Sequence, residues 1–400
     1  MEYTHEPYQK TVGEAWGASL AEGDTINLSS TRGEATSTTM RTFLALCILY
    51  FFTRVEFASC QSTAEPRWLF AFGDSYADTG STFNSTASWH VPYGVCWPGF
   101  PTGRFSDGFV QTDVLASTLG LVSPTPLREV CEKLMFTLLA GVNLAYAGTG
   151  VPPRSGWTDY PGMEDTVGIF SSLVTLELFT PEVLRRAVVF VSFSGSNATS
   201  NASTLEDLFA LSPEVPLLIE KNLRTLYSLG LRNFIVTSLT SVNCVPESAQ
   251  MTNYTGCAKN ASVDELIANH NQLLGIRLAN LTTELQDSSV LYLQQTEALS
   301  YVAQNSAQFN FTEGFKPCCT GHCGKVDEIG TPLYTVCANP EEHVFFDHLH
   351  PTEAGWRAVV GLYDTDSKFT QFATSLTAWL GTSNPRAENT RITYLVFFRG

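Results

Sequence analysis

Ser75 stands in Phe72-Gly73-Asp74-Ser75-Tyr76-Ala77-Asp78-Thr79-Gly80, directly after the apolar run Trp68 to Phe72. A serine so placed presents its hydroxyl at the carboxyl end of a parallel strand, which is where open α/β sheets bind ligands. A hydroxyl is a poor nucleophile until a base takes its proton. That base is offered far downstream, in Asp347-His348-Leu349-His350-Pro351. Asp347 and His350 are three residues apart. On a tight turn or a first helical turn the carboxylate reaches one imidazole nitrogen while the other faces a hydroxyl. Ser75, His350 and Asp347 therefore form a candidate triad for acyl transfer. Ala77 stands two residues after Ser75, so the chain lacks the G-x-S-x-G elbow of the α/β-hydrolases. Ser75 taken alone reads more readily as a helix cap, and it is the downstream blocks that favour catalysis.

Four apolar, β-rich runs are spaced to position these groups: Trp68 to Phe72, Ala187 to Phe193, Asn233 to Thr240 and Val290 to Gln294. Thr204 to Leu229 and Val263 to Leu285 read as helices between them, with Pro213 and Pro216 expected to interrupt the first. This alternation predicts a parallel sheet covered on both faces. No linker divides residues 61 to 385 and no repeat is evident, so one domain of about 325 residues is expected.

The chain resembles the plant-type GDSL esterase/lipases of the SGNH hydrolase superfamily. Four ordered blocks carry the resemblance: the Gly-Asp-Ser block, Gly141-Val142-Asn143-Leu144-Ala145-Tyr146-Ala147-Gly148-Thr149-Gly150, Gly195-Ser196-Asn197, and Asp347 to His350 followed by Pro-Thr-Glu-Ala-Gly-Trp. Pro92-Tyr93-Gly94 and Pro101 to Gly108 also look like the family. The resemblance implies a three-layer α/β/α sandwich with a central parallel sheet. It implies a carboxylic ester hydrolase without metal or organic cofactor, acting on lipid acyl, cutin-like or cell-wall acetyl esters. It also implies an oxyanion hole made by the backbone N–H of Ser75, the backbone N–H of Gly148 and the side-chain amide of Asn197. Read from the residues alone, Gly148 is equally a turn glycine and Asn197 equally a glycan acceptor. Three positions depart from the family pattern: Ser81 stands where Asn is usual, Ala147 where Gly is common and Ala198 where Asp is usual. These departures predict weaker support around the site, and they motivate the alternative of a catalytically weakened glycoprotein that binds carbohydrate or lipid.

Residues 1 to 39 are polar and without periodicity, whereas Met40-Arg41 precedes ten consecutive apolar residues, Phe43 to Phe52. That core is too short for the ~20 residues a spanning helix needs, so residues 40 to 60 read as a signal peptide and residues 1 to 39 as a non-native or disordered extension. The competing reading keeps the apolar run as a membrane anchor. A secreted, extracellular or cell-wall location is expected, with no stable membrane anchor.

Of the ten cysteines, Cys47 and Cys60 leave with the leader. An even number in an exported chain reads as disulfides. Cys244 and Cys257 are expected to pair, with a second group among Cys318, Cys319, Cys323 and Cys337; Cys96 and Cys131 have no assignable partner. The cluster Cys318, Cys319, His322 and Cys323 raises zinc, but it lacks a second CxxC-like pair. The close spacing of His343, His348 and His350 raises a metal in the same way, and the first two are expected to be surface or supporting groups. Sequons at Asn84, Asn197, Asn201, Asn253, Asn260, Asn280 and Asn310 suit a glycoprotein. A net charge of −16 disfavours nucleic-acid and anionic-membrane partners without selecting a substrate. Residues 386 to 400 contain the apolar run Ile392 to Phe398, long enough for an added strand and too short for a span.

Overall fold

A computed structural model describes residues 68–130, 132–152, 160–195 and 213–382. The expectations for the leader, for Asn197, Ala198 and Asn201, for Cys131 and for the C-terminal tail lie outside these residues.

Six strands build the parallel part of one sheet: β1 (Leu69–Gly73), β2 (Thr125–Pro126), β3 (Val142–Asn143), β4 (Val188–Ser192), β5 (Asn233–Thr237) and β6 (Ser289–Leu293). Their order is β2-β3-β1-β4-β5-β6. The register is continuous across the centre, with Leu69 opposite Val188, Val188 opposite Asn233 and Asn233 opposite Ser289. The sheet is not wholly parallel. A short edge strand, β9 (Thr370–Gln371), pairs antiparallel with β6, an arrangement common at the margins of large α/β sheets.

Successive strand residues point to opposite faces, and each face here has its own core. Leu69, Ala71, Val188, Phe190, Ile235, Leu291 and Leu293 join one apolar cluster, whereas Phe70, Phe72, Val189, Val191, Phe234, Val236 and Tyr292 join the other. The first cluster is covered by α1 (Gln111–Thr118), α5 (Gln295–Gln304) and α6 (Glu353–Thr365). The second is covered by α2 (Met163–Thr175), α3 (Glu214–Ser228) and α4 (Ala261–Glu284). Burial on both sides is why these strands read as unbroken apolar runs rather than alternating ones.

One expectation about the helices fails. Pro216 does not interrupt α3, because it occupies the third helical position and is buried there. The first-turn N–H groups have no partner within the helix, so a proline at that point removes no helical hydrogen bond.

Outside the sheet, β7 (Cys319–Val326) and β8 (Pro332–Val336) form an antiparallel hairpin just before the segment that carries Asp347 and His350. Cys318–Cys337 and Cys319–Cys323 are disulfide-bonded at its base, and Cys244–Cys257 closes a separate loop. These bonds occupy the sulfurs that a zinc site would have used.

Candidate active site

Ser75 sits in the turn immediately after β1. That strand lies between β3 and β4, where the direction of strand addition reverses and α/β sheets open a crevice. Gly73, the last residue of β1 and two positions before Ser75, must be glycine: a Cβ there would fall 2.0 Å from the Ser192 carbonyl oxygen, and its φ is +155°. The turn is then closed by Ala77 and Asp78 N–H groups donating to the Asp74 carbonyl, at 3.0 and 2.9 Å.

Asp347 and His350 occupy a tight turn rather than a helix. The Leu349 and His350 N–H groups donate to Asp347 Oδ1 at 2.8 and 2.7 Å, and the Phe346 N–H donates to the His350 carbonyl at 2.7 Å. Thr352 then caps α6 by accepting from the Gly355 N–H.

The structure brings the three residues together. His350 Nε2 lies 2.9 Å from Ser75 Oγ, and His350 Nδ1 lies 2.8 Å from Asp347 Oδ2 and 3.0 Å from Oδ1. With the carboxylate on Nδ1, the proton belongs there, which leaves Nε2 free to accept from the serine hydroxyl. Ser75, His350 and Asp347 are all buried. Burial by itself pushes the Asp347 carboxyl up, but the His350 imidazole, its hydrogen bond, His348 and the Leu349 N–H outweigh it and hold the group below the usual carboxylate range. Phe105 stacks flat on the imidazole at 4.5 Å and 23°, while Tyr76 meets it edge-on at 5.8 Å.

Other residues complete the site, and sequence reasoning gave them no role. The Tyr93 hydroxyl donates to Asp347 Oδ2 at 2.8 Å. Asp74 accepts from the Ser194 N–H and hydroxyl at 2.6 and 2.7 Å and from the Tyr76 N–H at 3.1 Å, tying the nucleophile turn to the end of β4. Burial pushes the Asp74 carboxyl up despite these donors. Tyr93 and Phe105 lie in segments already noted as family-like, but their partners are more than 240 positions away, beyond any local spacing rule.

Gly148 has a φ of +87°, and a Cβ there would lie 2.6 Å from the Tyr160 ring. Among the described residues, the backbone N–H groups of Ser75 and Gly148 donate to no protein acceptor. Ser81 and Ala147, two of the positions that depart from the family pattern, are both hydrogen-bonded. Both donate a backbone N–H to Asp78, and the Ser81 hydroxyl donates to the Asn143 carbonyl.

Three further groups of residues singled out in the sequence lie among the described residues. His343 is buried, with Nδ1 3.0 Å from the Lys316 carbonyl, whereas His348 is exposed. Cys96 carries a free, exposed thiol, so even cysteine parity does not pair every sulfur; burial, Asp107, Glu341 and Glu353 push this thiol up to about 12. Asn84, Asn253, Asn260, Asn280 and Asn310 are all exposed.

A sheet of this topology, with a hydroxyl, an imidazole and a carboxylate in series at the end of its central strand, defines the architecture of a serine hydrolase. The family model of the GDSL-like lipase/acylhydrolases matches residues 69–361, and the chain belongs to that family. A GDSL esterase/lipase of Arabidopsis thaliana is 37% identical over 310 residues, covering 74% of this chain and 85% of the relative. A second from the same plant is 33% identical over 308 residues, covering 74% and 86%. The protein is accordingly a carboxylic ester hydrolase.

Proposed function

We propose that the enzyme is an exported glycoprotein that cleaves esters through an acyl-enzyme on Ser75. The observation that carries this reading is the unbroken series from Ser75 Oγ to His350 Nε2 and from His350 Nδ1 to Asp347, at 2.9 and 2.8 Å. His350 takes the Ser75 proton as Oγ attacks the ester carbonyl, and Asp347 stabilises the imidazolium that results. The carbonyl oxygen becomes an anion, which the Ser75 and Gly148 N–H groups and the Asn197 amide receive. His350 next protonates the departing alcohol. It then deprotonates the water that attacks the acyl group, and Ser75 is regenerated.

The three disulfides and the exposure of the five described sequon asparagines support passage through an oxidising, glycosylating compartment. Lipid acyl, cutin-like and cell-wall acetyl esters are the proposed substrates, small or polymer-borne. A fluorophosphonate probe should label Ser75 in the secreted protein, and Ser75→Ala should lose both label and turnover while keeping the fold. Retention of most of the esterase activity by Ser75→Ala would defeat the reading. An ester series from acetyl to long-chain acyl, run on the same material, ranks the substrate classes.

A further inference from the structure

Asp78 lies three residues beyond Ser75 and has no part in the proton relay. Its carboxylate is fully buried and accepts four backbone N–H groups. Oδ1 takes those of Gly80 at 2.8 Å and Ser81 at 2.6 Å; Oδ2 takes those of Thr82 at 3.2 Å and Ala147 at 2.8 Å. Three donors belong to the turn that follows the nucleophile. The fourth comes from 69 residues away, on the segment leaving β3.

That segment is fixed one peptide at a time. The Leu144 N–H donates to the Ala71 carbonyl at 2.7 Å and the Tyr146 N–H to the Gly73 carbonyl at 2.9 Å, so the chain runs along the edge of β1. The Ala147 N–H then turns to Asp78. At Gly148 the positive φ redirects the backbone, and the Thr149 N–H closes back onto the Tyr146 carbonyl at 3.1 Å. The Gly148 N–H, which donates to no acceptor among the described residues, is thus held between two anchored peptides, and the first anchor is the Asp78 carboxylate. A donor stabilises a developing anion best when it is already oriented before the charge forms. Fully burying a carboxylate is expensive unless it is well hydrogen-bonded, and this one spends a bond on the oxyanion segment rather than on its own turn.

We propose that Asp78 is a positioning residue: its carboxylate holds the Ala147 peptide so that the Gly148 N–H faces the oxyanion of an ester attacked by Ser75. This rests on the reading of Gly148 as an oxyanion donor given above.

Asp78→Asn keeps the volume but sets an NH2 against two of the four N–H donors. With p-nitrophenyl acetate, kcat should fall about 10- to 100-fold while KM stays within about threefold, the pattern of a transition-state interaction. Inhibition by phenylboronic acid, which forms a tetrahedral adduct on the serine, should weaken by the same factor as kcat. A merely structural role would lower thermal stability without this matched change. Replacing the Tyr146–Ala147 amide by an ester removes the Ala147 N–H, weakens the Tyr146 carbonyl as acceptor for the Thr149 N–H, and leaves every side chain intact. It should show the same pattern, and it decides alone if Asp78→Asn does not fold. If Ser75 still labels with fluorophosphonate while kcat and boronate inhibition are unchanged in the folded variants, the role of Asp78 is overturned. Failure of the wild-type enzyme to label at Ser75 would instead overturn the acyl-enzyme reading, and this role with it.

Discussion

The Tyr93 hydroxyl donates to Asp347 Oδ2 at 2.8 Å, on the same oxygen that faces His350 Nδ1. Tyr93 is itself buried between Phe105 and Phe346, at ring separations of 5.4 and 5.3 Å. The phenol therefore cannot rotate away, and it fixes the plane of a fully buried carboxylate. Burial and the Asp347 charge together push the phenol well above its ordinary pKa, so it stays protonated and remains a donor.

Tyr93→Phe should lower kcat about tenfold with little change in KM, because the lost bond orients the carboxylate and touches no substrate. Stability should fall by about 1–3 kcal/mol, the usual loss when a buried charged acceptor is deprived of a donor. Steady-state kinetics and urea unfolding check the two parts separately; unchanged kcat would show that the Leu349 and His350 N–H groups suffice to hold Asp347.

Acid stability should depend on Asp347. Its folded-state pKa is depressed below an unfolded value of about 3.9, so its contribution is present above that value and is lost as pH falls toward the folded one. Asp78 acts in the opposite sense. Burial pushes its carboxyl up to about 6 against its four N–H donors, so its contribution is present below about pH 4 and is lost as pH rises through about 6. Unfolding free energies of wild type and Asp347→Asn, measured from about pH 5 to about pH 2, should converge on acidification. Parallel curves would remove Asp347 from the acid response.

The Cys318–Cys337 disulfide should matter for rate as well as for stability. It closes a separation of 19 residues, and the adjoining Cys318 and Cys319 N–H groups donate to the Phe345 and Phe346 carbonyls, immediately before Asp347. Replacing both cysteines by serine should cost about 3 kcal/mol by the loop-entropy relation. It should also lower kcat, because the segment leading into the carboxylate loses its brace. Loss of stability with kcat intact would confine the bond to a structural role.

Asn197 satisfies both a sequon, Asn197-Ala198-Thr199, and the proposed oxyanion position. A bulky glycan on this amide is incompatible with a reacting oxygen about 3 Å away. Asn197 should therefore be unmodified in active enzyme, with Asn201 free to carry glycan. Asn197→Ala should lower kcat by about 10²–10³, whereas Thr199→Ala, which destroys only the sequon, should be nearly silent. Glycopeptide mass spectrometry showing full occupancy at Asn197 in active protein would exclude the amide as donor.

The sequence by itself determined the central strands, because residues buried on both faces of a parallel sheet must be apolar throughout. It also made Ser75, His350 and Asp347 legible as a candidate triad, because Ser75 follows such a strand and Asp347 and His350 are close enough in the chain to share one turn; the structure brings the three within hydrogen-bond reach. Cys244 and Cys257 were legible for a similar reason, being near neighbours in a loop rich in turn residues. Tertiary structure alone decided the rest. That Tyr93 braces Asp347, that Phe105 covers His350 and that Asp78 reaches Ala147 depend on strand order and on packing between segments 69 to 254 residues apart. Pro216 was misread for the complementary reason. A proline breaks a helix only where its missing N–H was needed, and that is fixed by where the helix begins, at Glu214.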